Sequence, residues 1–85
     1  MYEIILSKEA ENDLRKLNNF SRERIVSALE RIKIRPHDFA KRLYNSKYYR
    51  ARVDNYRIIL DIKDYQLIIY VIEIGNREDI YKNIH

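Results

Sequence analysis

At Leu43 the spacing of apolar residues changes from a helical period to a period of two, and this switch restricts the fold more than any other feature. Upstream, Ala10, Leu14 and Leu17 recur at intervals of four and three, and Ile25, Ala28, Leu29 and Ile32 form a second stripe. Such intervals gather apolar side chains on one face of a helix. Downstream, Tyr49, Ala51 and Val53 alternate with Tyr48, Arg50 and Arg52, which describes a strand with one apolar and one cationic face. An Ile-rich segment at residues 2–6 reads as a further strand ahead of the helices. The resulting order β-α-α-β-β-β predicts an α+β fold, with an N-terminal strand and a helical hairpin packed on a largely antiparallel twisted sheet.

Local signals set the expected boundaries. Ser7 offers an oxygen to the first helical N–H groups, and Glu9, Glu11 and Asp13 put negative charge where the helix dipole favours it, so a helix is expected over 8–17. Asn18-Asn19 interrupts it, Ser21 repeats the capping device, and Pro36 requires the second helix to stop by Arg35. Residues 37–43 read as one irregular turn. Asp54-Asn55 is a two-residue hairpin loop joining the Arg-rich strand to a return strand over 56–62. Residues 66–74 are almost continuously apolar, the pattern of a central strand, with Gly75 ending it and a short terminal helix over 78–84.

Eighty-five residues suffice for one core, so 1–85 is expected to be a single domain. With 46% apolar residues, one Gly and one Pro, the chain is not a disordered or linker sequence. The lack of cysteine excludes a disulfide framework, a thiolate nucleophile and Cys-ligated metal. No apolar run approaches the roughly 18 residues that span a bilayer, and the chain opens directly on a strand-like segment, so a cytoplasmic location without membrane partners is expected.

The net charge of +4 is concentrated. Residues 41–57 carry six basic groups, Lys41, Arg42, Lys47, Arg50, Arg52 and Arg57, against one acidic group, together with four of the eight tyrosines. Interleaved cations and aromatic rings suit a nucleic-acid surface, and they equally suit a solvated strand pair whose rings are core. The hairpin register separates the two. With Asp54-Asn55 as the loop, Arg52 faces Arg57 and Arg50 faces Ile59, so three arginines share one face. Like charges directly opposite across a ladder are destabilising, which points to an anion between them. The alternatives are neutralisation by Asp61 or Glu73, or a longer loop that shifts the register and sends Arg57 to the other face. Guanidinium suits phosphate because its fork binds two oxygens and it stays charged.

Lys41-Arg42-Leu43, Tyr49-Arg50-Ala51-Arg52-Val53 with Asn55-Tyr56-Arg57-Ile58-Ile59, and Ile74-Gly75-Asn76-Arg77-Glu78-Asp79-Ile80-Tyr81 resemble, in this order, the motifs of the RelE branch of the RelE/ParE toxin superfamily. Length and element order agree over the whole chain. The resemblance implies a ribosome-dependent endoribonuclease that cuts mRNA and is held inactive by a cognate antitoxin, expected to be small, acidic and encoded next door. It implies catalytic roles for Arg52, Arg57, Arg77 and Tyr81. Arg57 would stabilise the scissile phosphate, Arg77 would protonate the leaving oxygen, and Tyr81 would orient or activate the nucleophile. RNA or ribosome binding would fall to Lys41, Arg42, Lys47 and Arg50.

The implied chemistry needs no metal or other cofactor, because the RNA 2′-hydroxyl attacks the adjacent phosphate to leave a 2′,3′-cyclic phosphate and a 5′-hydroxyl. Arginine suits charge stabilisation better than proton transfer, since its pKa lies above about 12. Where some relatives have lysine this chain has Arg52, which leaves as general base either Tyr81, with its pKa lowered by arginines, or a group of the ribosome.

Other candidate chemistry is weaker. His37 and His85 read as a surface and a terminal histidine, and Asp54, Asp61, Asp64 and Glu73 are too dispersed to hold magnesium. The Leu14, Leu17, Ile25, Leu29 and Ile32 stripe is expected to be core, with an outer edge open to an antitoxin segment. Two other functions remain compatible with these residues: a ParE-like gyrase inhibitor on the same fold, and an RNA-binding module without catalysis.

Overall fold

The computed structural model describes residues 1–76, so the expected helix over 78–84 and the positions of Arg77, Tyr81 and His85 lie outside the described residues. The elements are β1 (Glu3–Leu6), α1 (Lys8–Lys16), α2 (Asn19–Ile34), α3 (Pro36–Phe39), β2 (Ala40–Arg42), β3 (Tyr49–Val53), β4 (Tyr56–Lys63) and β5 (Ile68–Asn76). The five strands form one sheet in the order β1-β5-β4-β3-β2, antiparallel except where β1 runs parallel to β5. This is the α+β architecture that the sequence predicts, with one strand more.

Ser7 caps α1 as expected, its oxygen accepting the Ala10 N–H at 3.0 Å. The cap of α2 is Asn18, not Ser21: the Asn18 side chain accepts the Ser21 N–H at 2.8 Å, and the helix therefore starts three residues earlier than a cap at Ser21 would give. Arg22 fastens the two helices together. Its guanidinium donates to the carbonyls of Leu14 at 3.2 Å, Arg15 at 3.2 Å and Leu17 at 2.7 Å, at the C-terminal end of α1.

The expected irregular turn over 37–43 is instead a single helical turn, α3, followed by the edge strand β2. Three residues are too few to show alternation, so pairing with β3 rather than local pattern makes them a strand. The apolar run is internal to the sheet, but the middle place belongs to β4, and Gly75 lies inside β5 instead of ending it.

The core lies between the helices and one face of the sheet. Ile25, Ile32, Ile58, Leu60, Ile69 and Val71 are fully buried, each worth roughly 1.5–3 kcal/mol relative to an exposed position. Leu29 is buried with them, and Leu14 and Leu17 pack partly buried against them, so the predicted stripe is core. Its edge borders a groove of about 540 Å³ that also involves Ile4, Leu6 and Val26. Among the described residues no helix is long and apolar enough to cross a membrane.

Two polar devices hold the ends of the sheet. At one end Arg24 forks onto Asp54 of the β3–β4 loop at 2.9 and 2.7 Å, which draws the Asp54 pKa below the ordinary carboxylate value. At the other, Asp64 accepts hydrogen bonds from Tyr2 at 2.7 Å and lies 2.9 Å from His37, and these contacts lower its pKa. His37 is thus a half-exposed surface histidine with a carboxylate partner, its ring edge-on to Tyr49 at 5.5 Å.

The register of β4 against β5 shifts between Ile59 and Leu60, which pair with Glu73 and Val71 and leave Ile72 as an extra residue. Beyond Leu6 and Val71, β5 has no strand on its outer side among the described residues. The side chains of Ser7, the cap of α1, and of Asp13 within α1 bond to its backbone there. The Ser7 hydroxyl donates to the Ile72 carbonyl at 2.7 Å, and Asp13 accepts the Ile74 N–H at 3.0 Å. These bonds satisfy the backbone of the bulge and fix the segment that leads to Gly75.

Candidate functional site

The β3–β4 hairpin has the register read from the sequence. Arg52 faces Arg57, Val53 faces Tyr56, and Arg50 faces Ile59. Asp54 takes φ of 55°, a conformation that Asp tolerates better than most residues, so the two-residue loop closes without glycine. Alternation does the rest. Ala51 and Val53 turn into the helical core, and Arg50 and Arg52 turn to the opposite face of the sheet, joined there by Arg57 from β4. Lys41 of β2 pairs with Arg50 and extends the row.

Four cations therefore share the face of the sheet opposite α1 and α2. Arg52 and Lys41 are exposed, Arg50 is half-buried, and Arg57 retains only 2% of its surface. Directly opposite Arg57 stands Gly75. A side chain at that position would stand within about 5.5 Å of the Arg57 Cβ, so glycine leaves room beside the guanidinium. Lys41, Arg50, Arg52 and Phe39 line a surface cavity of about 310 Å³. Among the described residues no carboxylate lies within 4 Å of Lys41, Arg50 or Arg52, since Asp54 is held by Arg24 and Asp61 by Lys63 at 3.4 Å. Glu73 sits on the same face, opposite Ile59, one pair away from Arg57.

Not every predicted binding residue joins this row. Arg42 pairs with Tyr49, which places it on the other face, where its guanidinium lies over the Tyr49 ring at 5.9 Å and donates to the Ser46 carbonyl at 3.0 Å. Lys47 belongs to the loop between β2 and β3, its ammonium over the Tyr48 ring at 5.3 Å. Tyr49 and Tyr56 pack against the core, so these two of the four tyrosines are structural. Phe39 was not among the residues singled out from the sequence. No signal in the sequence marks it, because it ends α3 and the three residues of β2 are too few to set a phase. Arg77 and Tyr81 lie outside the described residues, as stated above, and among those described no three His, Asp or Glu side chains cluster as metal ligands.

The family model described as the ParE toxin of the type II toxin–antitoxin system parDE matches residues 4–81. The chain belongs to this family. As a toxin of the RelE/ParE superfamily it also shares its fold with solved RelE structures. The RelBE2 toxin–antitoxin complex of Mycobacterium tuberculosis matches with a TM-score of 0.80 at 23% identity, covering 89% of this chain and 98% of the other. The isolated RelE toxin of E. coli matches with a TM-score of 0.76 at 21% identity over 99% and 95%. The RelB–RelE complex of Methanococcus jannaschii matches with a TM-score of 0.72 at 24% identity over 91% and 94%. Among curated proteins no sequence matches the chain. In this ParE-family toxin the cationic row therefore sits on the face of a RelE-like sheet opposite the helical core.

Proposed function

We propose that this toxin is a ribosome-dependent mRNA endoribonuclease that inhibits translation in the cytoplasm. The observation that carries the reading is Arg52 directly opposite Arg57, with Arg50 and Lys41 alongside and no described carboxylate within 4 Å of Lys41, Arg50 or Arg52. A phosphodiester supplies the counter-charge that Lys41, Arg50 and Arg52 lack among the described residues. In the proposed reaction the RNA 2′-oxygen loses its proton and attacks the adjacent phosphorus, the bond from phosphorus to the 5′-oxygen breaks, and that oxygen takes up a proton. The products are a 2′,3′-cyclic phosphate and a 5′-hydroxyl. Negative charge grows on the phosphoryl oxygens at the transition state, where Arg57 and Arg52 stabilise it. Arg77 donates the proton to the leaving oxygen and Tyr81 orients or activates the 2′-hydroxyl. Lys41 and Arg50 bind the flanking backbone, and Arg42 and Lys47 contact RNA or ribosome from the other side of the hairpin.

Purified toxin incubated with programmed ribosomes and mRNA should give codon-phased cuts with cyclic-phosphate ends. Intact mRNA under these conditions sinks the proposal. Inhibited DNA supercoiling together with intact mRNA establishes the second reading, gyrase inhibition, which the family's ParE description favours. An antitoxin is the proposed partner in either case, supported by the complexes among the structural matches.

A further inference from the structure

Phe39 ends α3 and leads into β2 with 46% of its surface exposed, and it is not part of the hydrophobic core. Among the described residues no ring or cation stacks on it, in contrast to Phe20, which carries the Arg24 guanidinium at 5.9 Å. Its ring instead forms a wall of the 310 Å³ cavity whose other walls are Lys41, Arg50 and Arg52. Three cations alone describe a phosphate site, and an exposed ring alone describes an apolar contact. Together they describe a ligand that is flat and apolar on one part and anionic on another, which is the chemistry of a nucleotide.

Arg52 fixes where that nucleotide lies. It lines the cavity and also faces Arg57 across the β3–β4 ladder. Because β3 separates β2 from β4, Phe39 stands about two strand spacings, roughly 10 Å, from the strand that carries Arg57. We infer that Phe39, Lys41, Arg50 and Arg52 form a subsite in which a base of single-stranded RNA stacks on the Phe39 ring, in a nucleotide flanking the one whose phosphate meets Arg57. This rests on the RNA-cleavage reading and adds a recognition element to it. The ring accepts any base, and purines, with the larger π-face, bind better than pyrimidines. The flanking base thus biases where the toxin engages the strand, without taking part in the chemistry.

The test compares wild type with Phe39→Ala, Phe39→Trp and Phe39→Leu for binding of a short oligoribonucleotide and of the same backbone bearing abasic sites, over a series of salt concentrations. Phe39→Ala should weaken binding of the base-bearing strand about five- to a hundred-fold, the range expected for loss of one stack. Binding of the abasic strand and the slope of affinity against salt should stay unchanged. Phe39→Trp should retain affinity, and Phe39→Leu, which keeps apolar bulk without a ring, should fall with Phe39→Ala. Equal losses on both strands, or no loss on either, overturn the subsite, as does full affinity with Phe39→Leu. Wild type that cuts programmed mRNA while Phe39→Ala leaves the base preference intact refutes the subsite and spares the cleavage reading. Wild type that neither binds the strand nor cuts mRNA refutes both.

Discussion

Arg52 and Arg57 stand directly opposite each other across the β3–β4 ladder, the first exposed to solvent and the second buried to 2%. A cross-strand pair of like charge opposes folding, and burial of one member adds a desolvation penalty. Arg57 is fixed in place by its burial, while Arg52 beside it keeps its exposure to solvent.

Arg57→Ala should reduce ribosome-dependent cleavage by at least about a hundred-fold, the scale of losing one preorganised contact to developing charge. Arg57→Lys, which keeps the charge and loses the fork, should fall in between. Single-turnover cleavage checks this, and co-sedimentation with ribosomes should be retained by both variants. Loss of sedimentation in parallel with cleavage reassigns Arg57 to docking.

Arg50→Gln should weaken RNA binding across all sequences and flatten the salt dependence. Removing one phosphate contact to a single strand changes the slope of log affinity against log salt by about 0.7. A slope unchanged within error would show that Arg50 makes no phosphate contact.

Ser7→Ala should destabilise the fold by roughly 1–2 kcal/mol, because one hydroxyl both caps α1 and donates to the Ile72 carbonyl at the bulge. Urea unfolding measures it. Asp13→Ala, which removes the acceptor for the Ile74 N–H, should destabilise by a similar amount. If the bulge positions the segment after Ile74 for catalysis, both variants should also cut more slowly under conditions where they remain folded.

Asp64 has its pKa lowered by hydrogen bonds from His37 and Tyr2. A depressed carboxylate pKa contributes stability that is present above the unfolded value and is lost as pH falls through the folded one. Wild type should therefore be more stable than Asp64→Asn at neutral pH, and the difference should vanish on acidification below the ordinary carboxylate range. Thermal unfolding of both proteins across that range tests the sign. A difference that grows toward low pH would contradict it.

The hairpin was legible in the sequence because Asp54-Asn55 offered a two-residue loop, and of the two registers left open the one this loop sets is observed and assembles Arg50, Arg52 and Arg57. Lys41 joined them only through β2, a strand too short to announce itself. The bulge at Ile72 was invisible, since an apolar run without alternation has no phase to break. Ser21 looked like a cap as good as Asn18, because both side chains can accept the required hydrogen bond and only the start of the helix decides between them. Arg42 looked equivalent to its neighbour Lys41, but one residue along a strand reverses the side of the sheet.

That reversal separates two kinds of selection on a single ribbon of chain. Along β3, Ala51 and Val53 answer to the packing of the helices, while Arg50 and Arg52 answer to whatever lies on the open side. The mutational tolerance of β3 should rise and fall with every second residue, according to whether folding or activity is scored. Substitutions at Arg50 and Arg52 should thus change activity while the scaffold beneath stays the same, and those at Ala51 and Val53 should do the reverse.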